Sequence, residues 1–336
     1  MLGMRTRAGD VTTVDGHGPG LLSSEARRAR RIGYGCVMLA AGLWAAAETV
    51  ARALMDRGLP ALEMCEARAW IAAACLALVL RARGLRMWPE PERGHGLRAL
   101  APFLLFGIAL ACSNLALFEA IARLPVAVAV LLQYAAPVLV VCWSALESRR
   151  APSGRTLAAL SLSLTGVLFV SGLLDSPSRR LDASGVALGL GAAFAFAACM
   201  VLAEKLGGKV GAGPAVARGF VFASIFWVVF QVPRGFPRAL MDASFLPGIA
   251  FVGIVGTVLP FFFFTYGVGL GVGAPRASIV LTLEPVVAAV LALLFLGQSL
   301  GPMQIVGGTA IVGGVVVVQS ARNLRSWHSL GAPPQM

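Results

Sequence analysis

Residues 243–275 read ASFLPGIAFVGIVGTVLPFFFFTYGVGLGVGAP, and residues 285–321 read PVVAAVLALLFLGQSLGPMQIVGGTAIVGGVVVVQSA; neither run holds an Asp, Glu, Lys or Arg. Between them stand only Arg276, a neutral segment at 277–283 and Glu284. A helix rising 1.5 Å per residue needs about 20 apolar residues to cross the hydrocarbon of a bilayer. The stretch therefore holds three crossings. Toward the N-terminus, further charge-free windows cover 33–47, 69–80, 99–118, 124–146, 156–174, 183–203 and 219–233. The pattern predicts an all-α integral membrane protein with ten helices, at roughly 33–54, 61–80, 98–120, 126–146, 155–174, 184–204, 215–233, 247–269, 274–297 and 302–320. The alternating segments of about ten residues that mark a membrane β-barrel are missing.

Composition excludes the main rivals. The 336 residues are 58% hydrophobic and 13% charged, against about 25% charged in a soluble domain. A soluble enzyme, a disordered chain and a DNA-binding domain all fit poorly. The net charge of +12 sits in short clusters between neutral runs, so the partner it implies is a lipid bilayer and not a nucleic acid. Cys36, Cys65, Cys75, Cys112, Cys142 and Cys199 fall in predicted helices without a C-x-x-C pair, and His17, His95 and His328 fall outside them. No metal site or cofactor is expected. Residues 1–32 and 321–336 read as disordered tails, and without an apolar core before residue 33 the first helix reads as retained, not as a cleaved signal.

Basic residues favour the cytoplasmic side of a membrane. With the N-terminus inside, 19 basic residues fall in inside segments and six in outside loops. Both termini are therefore expected in the cytoplasm of a multi-pass protein of the inner membrane. The halves also match each other. Ala67-Arg68-Ala69-Trp70 pairs with Ala217-Arg218-Gly219-Phe220, Phe118-Glu119-Ala120 with Thr265-Tyr266-Gly267, and Pro137 with Pro285, at offsets of 147 to 150 residues. Two units, at 33–174 and 183–320, then hold five helices each. An odd count inserts the second copy upside down, an arrangement common in secondary transporters.

Gly42-Leu43-Trp44, Arg68, Gln133-Tyr134-Ala135-Ala136-Pro137, Leu283-Glu284-Pro285 and Gly297-Gln298 together resemble the drug/metabolite transporter superfamily, specifically its EamA-type ten-helix members. The resemblance implies two intertwined five-helix units around a central cavity. It also implies export of amino acids or related small metabolites by alternating access, with efflux of amphipathic compounds as the alternative. Two positions depart from the family pattern. Gln298 stands where an acidic residue usually ends the ninth helix, and Glu147 lies closer to Pro137 than its counterpart usually does, so no gating role is carried to either.

Ionisable groups near the bilayer midplane are costly and mark function by default. Glu284 lies about 15 Å into the ninth helix, Trp44 about 16 Å into the first, and Gln133 and Tyr134 about 10–16 Å into the fourth. These four, with Glu48, form the expected substrate-binding set for a small-molecule substrate. A titrating acid at Glu284 would also couple flux to protons. Pro137 and Pro285 free a carbonyl one turn earlier, and Arg68 and Arg218 are symmetry mates at opposite faces. These four are the expected gating or structural set; the competing reading is a kink held by helix contacts. A second cluster, Glu48, Arg52, Glu63, Glu66, Arg68 and Glu119, is placed near the outer face, with Glu48 and Arg52 on one helix face. Rows of glycine such as Gly185, Gly189 and Gly191, or Gly267 to Gly273, read as helix packing. No catalytic constellation is present: there is no H-E-x-x-H, no G-x-S-x-G and no phosphate-binding G-x-x-x-x-G-K-[ST]. A channel or scaffold is the remaining rival class, and the chain is expected to act as a monomer or homodimer.

Overall fold

Long neutral runs become helices because, in hydrocarbon, each backbone N–H and C=O must bond within its own segment. The computed structural model describes residues 19–84, 96–121, 123–124, 126–171, 182–231, 233–234, 242–296 and 301–320. Among these residues every regular element is helical: α1 (Pro19–Asp56), α2 (Ala61–Ala82), α3 (Gly96–Ile121), α4 (Val126–Gln133), α5 (Ala136–Ser148), α6 (Gly154–Val170), α7 (Ala183–Val210), α8 (Ala212–Gln231), α9 (Leu246–Gly253), α10 (Leu259–Gly267), α11 (Ala274–Leu281), α12 (Glu284–Leu296) and α13 (Pro302–Ser320). π turns at Ile254–Val258 and Val268–Val272 join α9 to α10 and extend α10. Among the described residues eight helical stretches are long and apolar enough to cross a membrane. α2 falls outside that set because it carries Glu63, Glu66 and Arg68 in its first half, and α6 because it is 17 residues long.

Two of the predicted helices are broken, and at matched places. The fourth is α4 plus α5, with Tyr134 and Ala135 between them; the ninth is α11 plus α12, with Thr282 and Leu283 between them. Every boundary of α4 and α5 recurs 148 residues later in α11 and α12, and the first residue of α6 recurs as that of α13. Both turns use i→i−3 hydrogen bonds, Ala135 N–H to Leu132 O at 3.0 Å and Leu283 N–H to Val280 O at 3.1 Å. Pro137 and Pro285 cause the breaks, because neither has an N–H to donate to the carbonyl four residues back, at Gln133 and at Leu281.

The packing exchanges the two repeats. α6 lies along α13 and α2 along α8; α3 packs on α7 as α1 packs on α10. Small residues let the backbones touch. A Cβ on Gly166 would meet the Gly307 carbonyl oxygen at 2.6 Å, and one on Gly307 would meet that of Gly166 at 2.6 Å. Gly33 and Gly267 join α1 to α10 in the same mutual way. The outer surface is apolar, with Leu146 78% and Leu294 69% exposed, as lipid contact requires.

Three expectations are corrected. α1 starts at Pro19, so residues 19–32 continue the first helix and are not a disordered tail. Their Ala, Arg and Glu residues are good helix formers that extend a packed helix at little cost. The sixth helix continues past 204 to Val210, taking in Gly207-Gly208-Lys209, and ends where Gly211 adopts φ 84°. Finally, the glycine row at 267–273 is not one packing stripe. Gly267 packs on Gly33, whereas Gly271 (φ 88°) and Gly273 (φ 77°) form the tight turn into α11. Residues 1–18 and 321–336, expected to be tails, lie outside the described residues.

Candidate functional site

A cavity of about 560 Å³ lies where the two repeats meet, walled by both broken helices and by α1, α2, α3, α7 and α10. It reaches Asp56, Ala61 and Ile121, at the ends of α1, α2 and α3 that share one end of the bundle. The opposite end is knit together. There Glu204 on α7 accepts the N–H of Ala274, the first residue of α11, at 3.1 Å. The Tyr34 hydroxyl donates to the Val318 carbonyl at 3.4 Å, and Lys205 pairs with Glu147 at 2.6 Å. None of these residues lines the cavity.

The broken helices place polar groups at mid-cavity because a break puts side chains and helix ends where an intact helix would present only one face. Gln133 ends α4, Tyr134 occupies its turn, and Glu284 opens α12. Glu48 on α1 comes within hydrogen-bonding reach of Glu284, and so does the Tyr134 hydroxyl. Two carboxyls can hydrogen-bond to each other only when one carries a proton to donate. Glu284 also sits at the positive end of α12, which favours a carboxylate there.

Arg68 lies on the wall from α2 and donates to Asn114 Oδ1 on α3. Glu48 is near enough to feel its charge, but no ion pair of Arg68 occurs among the described residues. The aromatic wall is Trp44, edge-on to Phe261 at 5.1 Å and to Phe196 at 6.3 Å between ring centroids.

All five residues expected to bind substrate, Glu284, Trp44, Gln133, Tyr134 and Glu48, line this cavity, as do Pro137 and Arg68. The outer acidic cluster does not hold together as expected. Glu48 faces Glu284 rather than the surface, because the face of α1 that packs on α12 carries it inward. Glu119 pairs with Arg123 at 2.6 Å one turn away, and Glu66 is buried off the cavity wall, without a hydrogen-bond partner among the described residues. The Arg52 side chain and Gln298 lie outside the described residues. Arg218 is buried with its guanidinium over the Phe103 ring at 4.7 Å and does not line the cavity. Pro285 breaks the ninth helix without lining the cavity.

The sequence reading missed Asn114, Ser278, Met200, Phe196 and Phe261 as wall residues. Neutral residues inside apolar runs carry no charge signal. The repeat offered one, since Phe196 and Met200 follow Trp44 and Glu48 by 152 residues, close to the offset between the two units.

The inner membrane transporter YicL of Salmonella typhimurium, itself uncharacterised, is 28% identical over 192 residues, 57% of this chain and 63% of its own length. The chain thus spans less than two thirds of that relative. The threonine/homoserine exporter RhtA of Escherichia coli K12 is 28% identical over 212 residues, 63% of this chain and 68% of its own. A solved crystal structure with 20% identity superposes at a TM-score of 0.66, covering 87% of this chain and 97% of the other, which supports the fold alone. The pattern of the EamA-like transporter family matches twice, at residues 31–172 and at 183–320. With both repeats matched, and the multi-pass helical architecture that carries them, this chain belongs to the EamA-like transporter family.

Proposed function

We propose that the chain is a secondary active transporter of the inner membrane that exports an amino acid or related small metabolite by alternating access. The observation that carries the reading is the cavity at the repeat interface, with its polar groups at two matched helix breaks. In this reading α2 and α6 also cross the membrane, the crossings number ten, and the second repeat is inverted with respect to the first. The distribution of basic residues favours both termini in the cytoplasm. The end of the cavity at Asp56 and Ala61 then opens outward, and the Tyr34 and Glu204 contacts close the cytoplasmic side. Rocking one repeat on the other would open that side and close the first.

Glu48 and Glu284 supply the coupling. A substrate ammonium entering between them displaces the shared proton into the cavity water, and the proton returns when the substrate leaves. The net exchange is one proton against one cationic group. The name of RhtA favours an amino acid; the aromatic wall of Trp44, Phe196 and Phe261 favours a second reading, efflux of amphipathic compounds.

Purified protein in liposomes is expected to take up solute saturably when a pH gradient is imposed. Flux that rises without saturation would mean a channel, and no flux a scaffold. Reporter fusions after residue 178 and after residue 330 are expected to read outside and inside. Identical readings at both would rule out the inverted repeat.

A further inference from the structure

The cavity wall carries both signs of charge and leaves room for more than a small polar ligand. Arg68 is a half-buried guanidinium with a single hydrogen bond, to Asn114, and no ion pair among the described residues. A guanidinium has five N–H donors in a planar fork that matches a carboxylate, and a cation withdrawn from water gains most when an anion completes it. Glu48 and Glu284 form a second, acidic group in the same cavity. Beside them stand the rings of Trp44, Phe196 and Phe261. A ligand of threonine's size would leave most of the about 560 Å³ unfilled.

We infer that the ligand is a zwitterion with a bulky apolar side chain. Its carboxylate lies on the Arg68 fork, its ammonium between Glu48 and Glu284, and its side chain against Trp44, Phe196 and Phe261. The inference rests on the carrier reading and narrows it. The single ring of phenylalanine supplies the apolar area that an aromatic wall binds edge-on or offset. A dipeptide with one aromatic residue has the same chemistry and differs only in the separation of its charges. Arg68 is the residue that tells a zwitterion from a plain amine, and Glu284 tells it from a plain acid.

Calorimetric titration of the purified full chain tests this with four probes: phenylalanine, phenylethylamine, phenylpropionate and threonine. Phenylalanine is expected to bind at least about tenfold tighter than each of the others, the scale of one lost hydrogen bond to a charged group. In Arg68→Gln the preference over phenylethylamine should fall to within about twofold, and in Glu284→Gln so should the preference over phenylpropionate. Melting curves check folding, and Arg68→Lys, which keeps the charge but not the fork, should fall between wild type and Arg68→Gln. Tighter binding of phenylalanyl-glycine than of phenylalanine would support the zwitterion and assign it to peptides. Phenylethylamine binding as tightly as phenylalanine would overturn the anion subsite, and threonine doing so would overturn the role of the aromatic wall. Saturable liposome flux of another solute with no binding of phenylalanine or its dipeptide would overturn the ligand class alone. Absence of saturable flux for every solute tried would overturn the carrier reading with it.

Discussion

At Tyr134–Ala135 the chain turns between α4 and α5, and at Thr282–Leu283 it turns between α11 and α12, with the same hydrogen-bond pattern and a proline two residues beyond each turn. The side chains differ. Gln133 on the cavity wall of the first repeat is answered by Leu281 in the second, Ala136 by Glu284, and Val130 by Ser278. The first helices of the two repeats differ likewise, with Trp44 and Glu48 answered by Phe196 and Met200, all four on the wall. Arg68 faces the cavity while its mate Arg218 stacks on Phe103. Backbone requirements repeat because both units must break a helix and pack on each other; charge does not repeat, which is what the proposed asymmetric ligand would require.

The symmetric half of this comparison breaks with the largest effect. Gly166→Val and Gly307→Val each drive side-chain atoms into the partner backbone, where even a Cβ would sit at 2.6 Å. Overpacking of this kind costs about 1–3 kcal/mol and more when backbone is the obstacle. Both variants are expected to melt well below wild type, or to fail to assemble, and by similar amounts. One harmless and one destructive variant would show that the two repeats do not share this contact equally.

The arginine pair sharpens the asymmetric half. Arg68→Gln is expected to raise KM for transport tenfold or more with the melting temperature nearly unchanged. Arg218→Gln is expected to do the reverse. It loses a desolvated cation–π contact of up to about 2 kcal/mol, so it should melt lower and leave KM alone. A KM effect from Arg218→Gln equal to that from Arg68→Gln would mean that both mates serve the ligand.

The smallest effect is expected at the start of the second repeat. Asp182 caps α7: the Ser184 hydroxyl and the Gly185 N–H donate to its carboxylate and hold its carboxyl below the ordinary value of 3.8. A lowered folded value means stability that is fully present above the unfolded value and lost as pH falls through the folded one. Asp182→Ala should therefore lower the melting temperature slightly at neutral pH, and the difference from wild type should vanish in acid. A difference that persists once the carboxyl is protonated would assign the effect to something other than the charged cap.

Most of the helical layout was legible in the sequence because hydrocarbon imposes long neutral runs. The two breaks were legible because proline removes a donor whatever surrounds it. Less legible was what each helix faces. The depth of Glu48 can be counted along α1, which puts it in the expected binding set, whereas its partner across the cavity depends on the packing of α1 on α12. The start of α1 at Pro19 was missed because charge ends a hydrophobic run without ending a helix. The turn at Gly271 and Gly273 was read as packing because the same residue serves close approach and positive φ, and only the backbone separates the two uses.

Liposome uptake at matched protein amounts, comparing wild type with Glu284→Gln and Glu63→Gln, tests the account most directly, with melting curves as the folding control. Glu284→Gln keeps the shape of the side chain and removes its charge. The cavity reading predicts that this variant folds yet loses saturable uptake tenfold or more, a loss well beyond that of Glu63→Gln, which does not line the cavity. Wild-type uptake in Glu284→Gln would contradict it and leave Glu284 as a helix contact.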